Sequence, residues 1–316
     1  MSQKILLAPI QGVTDYPFRN AFQKYFGSIH SMYSPYLRLD KDLHLKRSRI
    51  KDVLPENNVG VNLIPQIMTN SSEGFLFLSD FITEKGYSEV NWNLGCPFSM
   101  VTNRKLGSGL LPFYNEIDKI LNESLPKTKL KVSIKMRIGL EDENEIYKVL
   151  PVLDKYAISE IIIHPRTGKQ MYKGEINLQV FEKCLKLTKH SICYNGDINT
   201  LQDFENLKQK FTSVNTWMIG RGAVSNPFLV SQIKGDELPE NKIDHFSKFH
   251  DELFSHYQNQ LSGQSHILNK MRVFWEYFAL SFSNDHKSYK KIKKATSIDK
   301  YLKAIEQIYK DEHWIA

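Results

Sequence analysis

The sequence predicts an α/β protein: a (β/α)8 TIM barrel followed by a small C-terminal α-helical domain. Three observations predict it. Between Lys4 and about Lys234, short β-rich runs alternate with longer helical ones, the pattern of parallel β/α units. Polar residues recur at the C-terminal ends of these runs, where barrels carry their chemistry. Beyond "KGDELPENK" (Lys234–Lys242) strand signals stop and only helical spacing continues. The expected domains are residues 1–235 and 236–316. A doubly wound sheet is the alternative, but no GxGxxG follows the first strand.

The elements follow in order. "KILLAP" opens as the first strand, with "IHSMYSPYL" and "GVNLIPQIM" as the second and third. "SEVNWNLG", "LKVSIKMRIG", "EIIIHPRTG", "SICYNGDI" and "TWMIGRGA" supply the fourth to the eighth. Helices are expected at Ser71–Lys85, Leu111–Glu123, Glu143–Lys155, Leu178–Lys189 and Thr200–Lys210, with a poorly defined one near Asp42–Val53. Ser71 and Thr200 read as helix starts and Gly86 as a stop. In the tail, Phe246, Phe249, Leu253, Phe254 and Tyr257 fall at helical spacing, and "HILNKMRVFWEYFALSF" and "SIDKYLKAIEQIYK" read as further helices. These aromatic stripes are read as core, not as a binding box.

The totals narrow the function classes. The 316 residues are 41% hydrophobic, enough for a sizeable core. Three cysteines (Cys96, Cys184, Cys193) cannot build a disulfide framework, and no CxxC pair suggests zinc, so no metal is expected. Cys184 and Cys193 are expected to be packed. No apolar run has membrane-spanning length, and "MSQKILLAPI" lacks the features of a signal peptide. A cytoplasmic protein without a membrane partner is expected. The net charge of +7 and a pI near 9.0 fit a polyanionic partner. From Asp236 onward twelve Lys and Arg offset twelve Asp and Glu, so the excess lies in residues 1–235. The tail still holds a local run, "KSYKKIKK" (Lys287–Lys294), which by itself reads as a solvated face.

The strand ends form an unusual set. They present Ala8-Pro9-Ile10, Gln66, Asn93 with Cys96, Lys135 with Arg137, His164 with Arg166, Asn195-Gly196-Asp197 and Gly220-Arg221. The glycine turns let backbone approach a phosphate closely, and strands 7 and 8 are where barrels often hold one. Lys135 can donate to an electron-rich ring or its phosphate, and Gln66 offers an amide to a heterocycle edge. The set fits a phosphorylated flat cofactor across the barrel mouth, and FMN satisfies it better than a sugar phosphate.

In this order, "APIQGVTDYPFR" (Ala8–Arg19), "NLGCP" (Asn93–Pro97), "KMR" (Lys135–Arg137), "HPRT" (His164–Thr167), "NGDI" (Asn195–Ile198) and "IGRGA" (Ile219–Ala223) resemble the tRNA-dihydrouridine synthase family. Ile10 stands where the family usually has Met, and Pro165 where it often has Gly; neither change removes a chemical group. The resemblance implies that FMN, reduced by NADPH or NADH, passes a hydride to C6 of a uracil in tRNA, and that an acid protonates C5. Cys96 matches that acid; a thiol with an ordinary pKa of about 8.5 holds its proton at neutral pH. Lys135 matches a flavin contact, His164 a residue near the cofactor phosphate and Gln66 a ring-edge ligand. Ala8, Pro9, Ile10, Asn195, Gly196, Asp197, Gly220 and Arg221 complete the implied cofactor bed. Asn93, Arg137 and Arg166 are assigned to positioning substrate or flavin. A uridine must leave its stack to reach such a site. Lys287, Lys290 and Lys291 are then expected to contact tRNA phosphates. A monomer is expected. Two other readings stay open: an FMN barrel reducing a small metabolite, and a non-catalytic RNA-binding protein.

Overall fold

The computed structural model describes residues 3–40 and 43–316. The strands are β1 (Lys4–Leu7), β2 (Ser31–Tyr33), β3 (Leu63–Ile64), β4 (Gln66–Ile67), β5 (Glu89–Leu94), β6 (Lys131–Gly139), β7 (Ile158–Thr167), β8 (Ile192–Asn195) and β9 (Thr216–Ile219). They pair in parallel in the order β3-β2-β1-β9-β8-β7-β6-β5-β4. The two ends of this order, β3 and β4, are separated in sequence by Pro65 alone. Proline has no N–H to give a ladder, so "GVNLIPQIM" is one stave in two pieces. Its first half pairs with β2 and its second with β5, while the Pro65 carbonyl accepts from Asn91 N–H at 2.9 Å. The barrel is thus eight-staved and closed, as the sequence predicts.

The strands read as apolar runs because a parallel sheet is buried on both faces; Ile161, Ile162 and Ile163 are all fully buried. Several expected helix signals act as read. The Ser71 side chain caps Ser72–Glu84, Gly86 follows that helix at φ +85°, and Thr200 forms a reciprocal capping box with Asp203 before Leu201–Lys210. Other boundaries shift. The helix expected at Leu111–Glu123 runs Tyr114–Ser124, because Gly107–Leu110 form a separate 3-10 turn before it. The helix expected at Leu178–Lys189 ends at Leu187, where Thr188 turns extended and its hydroxyl donates to Asp154. Of the poorly defined helix near Asp42–Val53, Asp42 lies outside the described residues. The remainder is two short pieces, Arg47–Ile50 and Lys51–Val53. Tertiary bonds fix them in place of periodic packing: buried Arg19 donates to Asp52 O and to Asn58 Oδ1.

Helices Lys242–Gln260, Gln264–Phe278, Asp285–Lys294 and Ile298–Asp311 follow the barrel. The aromatic stripe is core, as expected: Phe246, Phe249, Leu253, Phe254 and Tyr257 are all buried. Phe249 packs edge-on against Phe18, Phe22 and Phe26 of the first barrel helix and its C-cap (Tyr16–Tyr25, capped by Phe26), and against Phe278 within the bundle. Lys270 pairs with Asp15 at 2.7 Å and donates to Gly12 O at 2.8 Å, fixing the bundle to the loop after β1. One apolar cluster runs through both parts. Cys184 and Cys193 are fully buried within packed clusters. Among the described residues, no helix is long and apolar enough to cross a membrane.

Because Phe249 joins barrel to bundle, Phe249→Ala is expected to cost about 3–5 kcal/mol and to lower the melting of the whole chain in one transition. Calorimetry of the variant checks this. A loss confined to a separate, smaller transition would mean that the bundle melts independently.

Candidate active site

Register assembles the site. β5 and β6 pair Asn93 with Lys135, and β6 and β7 pair Arg137 with His164. A shift in register between Arg137 and Gly139 bends the end of β6. These side chains line a cavity of about 470 Å³ over the C-terminal strand ends, within the range for small-molecule sites. Ala8, Pro9, Ile10, Gln66, Cys96, Asn195, Gly196, Asp197, Gly220 and Arg221 line it as well.

The cysteine turn is built by its neighbours. The Asn93 carboxamide oxygen accepts from the N–H groups of Gly95 (3.0 Å) and Cys96 (2.9 Å). Ser108 N–H and its hydroxyl both donate to Cys96 O, each at 3.0 Å. Gly107 sits directly on the cysteine at φ +56°, and a Cβ there would stand 2.7 Å from Cys96 Cβ. Only glycine satisfies both conditions. Gly95 has ordinary room for a Cβ, so the turn owes its shape to Asn93 and Gly107 more than to Gly95. The thiol is 8% exposed. Burial pushes it above its usual value, against hydrogen bonding from Phe98 N–H and Tyr36 and the nearby Arg137 and Arg38. At neutral pH it is protonated.

Behind this turn runs a chain of buried amides. Asn93 donates to Gln66 Oε1 (2.7 Å), Gln66 donates to Asn91 Oδ1 (2.8 Å), and Asn91 donates to Ser133 Oγ (2.8 Å). Gln66 therefore has both ends of its carboxamide engaged by protein, and it braces Asn93 at the cavity floor. Asn195 similarly donates to Met218 O at 2.7 Å.

The opposite wall is cationic. Lys135 has no carboxylate within 4.0 Å among the described residues, and burial with the nearby Arg137 lowers its pKa to about 8. Burial likewise lowers Arg137 to about 10; its guanidinium donates to Gly95 O and Thr167 O. His164 is driven well below its usual value by burial and by Arg137, Lys135, Arg166 and Arg221, so it is neutral. Asp197 answers two of these cations, accepting from Arg166 (2.9 and 2.5 Å) and Arg221 (2.8 Å). Burial would raise its carboxyl, but the two guanidiniums more than offset that and hold it below the ordinary range.

Arg166 differs from expectation. It does not line the cavity; it is buried behind the wall, drawn there by Asp197 and Gly174 O. The lysine run also divides. Lys287 and Lys291 pair with Glu312 and Asp311, whereas Lys290 is exposed with no such partner among the described residues; all three lie away from the cavity. Among the cavity residues that sequence reasoning missed are Tyr36, Tyr172, Glu276 and Tyr277. The Tyr172 ring lies 5.3 Å from the Arg137 guanidinium and 4.8 Å from that of Arg221. Glu276 and Tyr277 come from the helical bundle, so the bundle completes the wall. No spacing rule links them to strand ends. Among the described residues, no cluster of His, Cys, Asp or Glu could hold a metal ion.

A closed parallel barrel whose strand ends set a protonated thiol beside a cation wall that Asp197 answers only in part defines a class: barrel enzymes whose mouth is suited to an anionic ligand. The chain belongs to the dihydrouridine synthase family, whose model, Dihydrouridine synthase (Dus), matches residues 6–312. It is accordingly an oxidoreductase. It is similar to tRNA-dihydrouridine synthase B of Pasteurella multocida, 26% identical over 72% of this chain and 68% of that protein. It is similar also to the tRNA-dihydrouridine(16) synthase of Neisseria meningitidis, 26% identical over 73% of this chain and 71% of that one. Among solved structures, a 2-naphthoyl-CoA reductase complex matches with a TM-score of 0.55 at 9% identity, over 74% of this chain and 50% of that one. That likeness shows the barrel fold alone.

The cost of burying Lys135 has a pH signature. Its folded pKa of about 8 lies below the ordinary 10.5, so the unfolded chain binds the extra proton between those values and stability rises with pH across that window. In ligand-free protein, Lys135→Met is expected to be more stable than the parent at pH 7 by on the order of 2 kcal/mol. That advantage should vanish near pH 10.5. Urea denaturation over a pH series checks it; equal stability at pH 7 would refute the assigned charge cost.

Proposed function

We propose that this chain is an FMN-dependent tRNA-dihydrouridine synthase in which Cys96 is the proton donor. Family membership makes it a flavin enzyme; FMN, the nicotinamide reductant, tRNA and the residue roles are this reading's own. The observation that carries it is the pairing, in one cavity, of a buried neutral thiol with a lysine that has no carboxylate partner among the described residues. The residues fit a phosphorylated flavin. Lys135 and Arg221 supply positive charge, and Gly196 and Gly220 keep backbone accessible. Ala8, Pro9, Ile10, His164, Asn195 and Asp197 complete the bed. Gln66 acts through Asn93, and Arg166 through Asp197.

When bound and reduced by NADPH or NADH, FMN supplies a hydride for C6 of the uracil. Cys96 delivers the Sγ proton to C5, which completes the saturation of the C5–C6 bond. Burial keeps that proton on sulfur until it is needed. Asn93 and Ser108 hold the thiol-bearing turn still, so proton transfer starts from a fixed position. Lys135 and Arg137 stabilise negative charge that develops on the ring. Tyr172, packed by two guanidiniums, offers a face to a base extruded from its stack.

The helical residues 236–316 are read as the docking surface for folded RNA, with Lys290 the best placed of the named lysines for a phosphate. Lys287 and Lys291 already hold carboxylates, which weakens their case. The cavity wall is complete within one chain, which supports a monomer, and the reading assigns it to the cytoplasm.

Cys96→Ala tests the core of this. Flavin content and flavin reduction by NADPH should be retained, while dihydrouridine formation on unmodified tRNA slows about 100-fold or more. Undiminished turnover would remove Cys96 from the reaction, and faster turnover of free uracil than of tRNA would favour a small-metabolite reductase. Lys290→Ala should weaken tRNA binding several-fold and lower the slope of log K against log salt by about 1. An unchanged slope in a filter-binding titration would take that lysine off the RNA surface.

A further inference from the structure

Cys96 has a neighbour that none of the motifs contains. The segment after β2 is anchored at the end of β4: Leu37 N–H donates to Gln66 O (2.7 Å), Met68 N–H donates to Leu37 O (2.8 Å), and Leu37 bridges Ile67. That anchor carries Tyr36 across to the fourth strand end. There its ring packs on the small cluster of Met68, Cys96 and Val101 and lines the same cavity as the thiol. The other polar side chains holding the cysteine turn, Asn93 and Ser108, bond to its backbone. Tyr36 is the polar side chain packed against the cluster that holds the sulfur.

We propose that Tyr36 is a positioning residue for the proton donor: its phenol donates a hydrogen bond to the Cys96 sulfur as that sulfur gives up its proton. The inference rests on the reading of Cys96 as the acid. In the step, the S–H bond of Cys96 breaks, a C–H bond forms at C5, and the electron pair stays on sulfur. The Tyr36 O–H bond remains intact, and the thiolate later regains a proton from water in the open cavity. The need for such a donor follows from burial. A thiolate at a site 8% exposed is poorly solvated by water, and a hydrogen bond to a charged acceptor is stronger than one to a neutral acceptor. The contact therefore favours the state after proton transfer over the state before it. Burial, with the adjacent thiol, pushes the phenol up to about 12, so it keeps its own proton and serves only as a donor.

The test compares Tyr36→Phe with the parent as FMN-loaded proteins. Iodoacetamide alkylation is followed against pH and read by mass spectrometry on the Cys96 peptide, so that the fully buried Cys184 and Cys193 do not contribute. The apparent thiol pKa should rise by about 1 in the variant. Dihydrouridine formation should fall about 10-fold, with flavin content and flavin reduction by NADPH unchanged. An unaltered Cys96 pKa in Tyr36→Phe overturns the inference, whatever happens to turnover. The reading beneath it fails separately: a Cys96→Ala variant with normal turnover removes the acid, and with it any part for Tyr36 in the reaction.

Discussion

Everything at the mouth of this barrel depends on the register of β5, β6 and β7. Successive residues of a strand face opposite ways, so a slip of one position would exchange cavity-facing and helix-facing side chains. With Asn93 opposite Lys135 and Arg137 opposite His164, an amide, an ammonium, a guanidinium and an imidazole converge on one space. The amide chain from Asn93 through Gln66 and Asn91 to Ser133 reinforces the register of β4, β5 and β6 from inside, because each bond crosses from one stave to the next. A slip would leave several buried polar groups unsatisfied at once, each at a cost of about 1–3 kcal/mol.

The same convergence concentrates positive charge. Lys135, Arg137, Arg166 and Arg221 surround His164, and among the described residues Asp197 is the carboxylate that answers them directly, through Arg166 and Arg221. Burying cations without partners opposes folding. The fold tolerates this in two ways: His164 stays neutral, and Lys135 loses its proton more readily than an exposed lysine would. An anionic ligand would relieve the remainder, which would link binding energy to folding energy at this site. The helical bundle adds a further constraint by closing the wall with Glu276 and Tyr277 while anchoring through Lys270 to the loop that carries Ala8 to Ile10.

The legible part of this site is the part that lies on strands. Hydrophobic runs located the staves, and each stave's last residues located the cavity, because a closed parallel barrel leaves its side chains no other common space. Pro65 hid one stave's division without changing its place. Arg166 was misread because parity along β7 groups it with His164, and parity says nothing of the pull of Asp197 from the next strand end. Gly107 and Ser108 were missed for a different reason, as was the place of Tyr36, which the expected second strand included although that strand ends at Tyr33. They reach Cys96 from irregular segments, where no period relates sequence distance to position. Their roles follow from contact geometry: a positive φ, a carbonyl needing donors, a ring against sulfur.

That geometry also suits a cysteine as the proposed acid. A carboxyl at position 96, facing Arg137 and Lys135, would have its proton driven off by those cations, as Asp197 illustrates a few strands away. An imidazole there would be forced neutral, as His164 is, and would then carry one proton on a nitrogen that gives it up reluctantly. A thiol starts near 8.5, and burial moves it upward while the cations and Phe98 N–H pull it back. These opposing effects leave a group that is protonated at neutral pH yet still acidic enough to transfer that proton. In "NLGCP", then, Asn93 fixes where the sulfur sits, and on the proposed reading the cation wall that would draw an anionic ligand also favours a thiol over a carboxyl or an imidazole as the acid beside it.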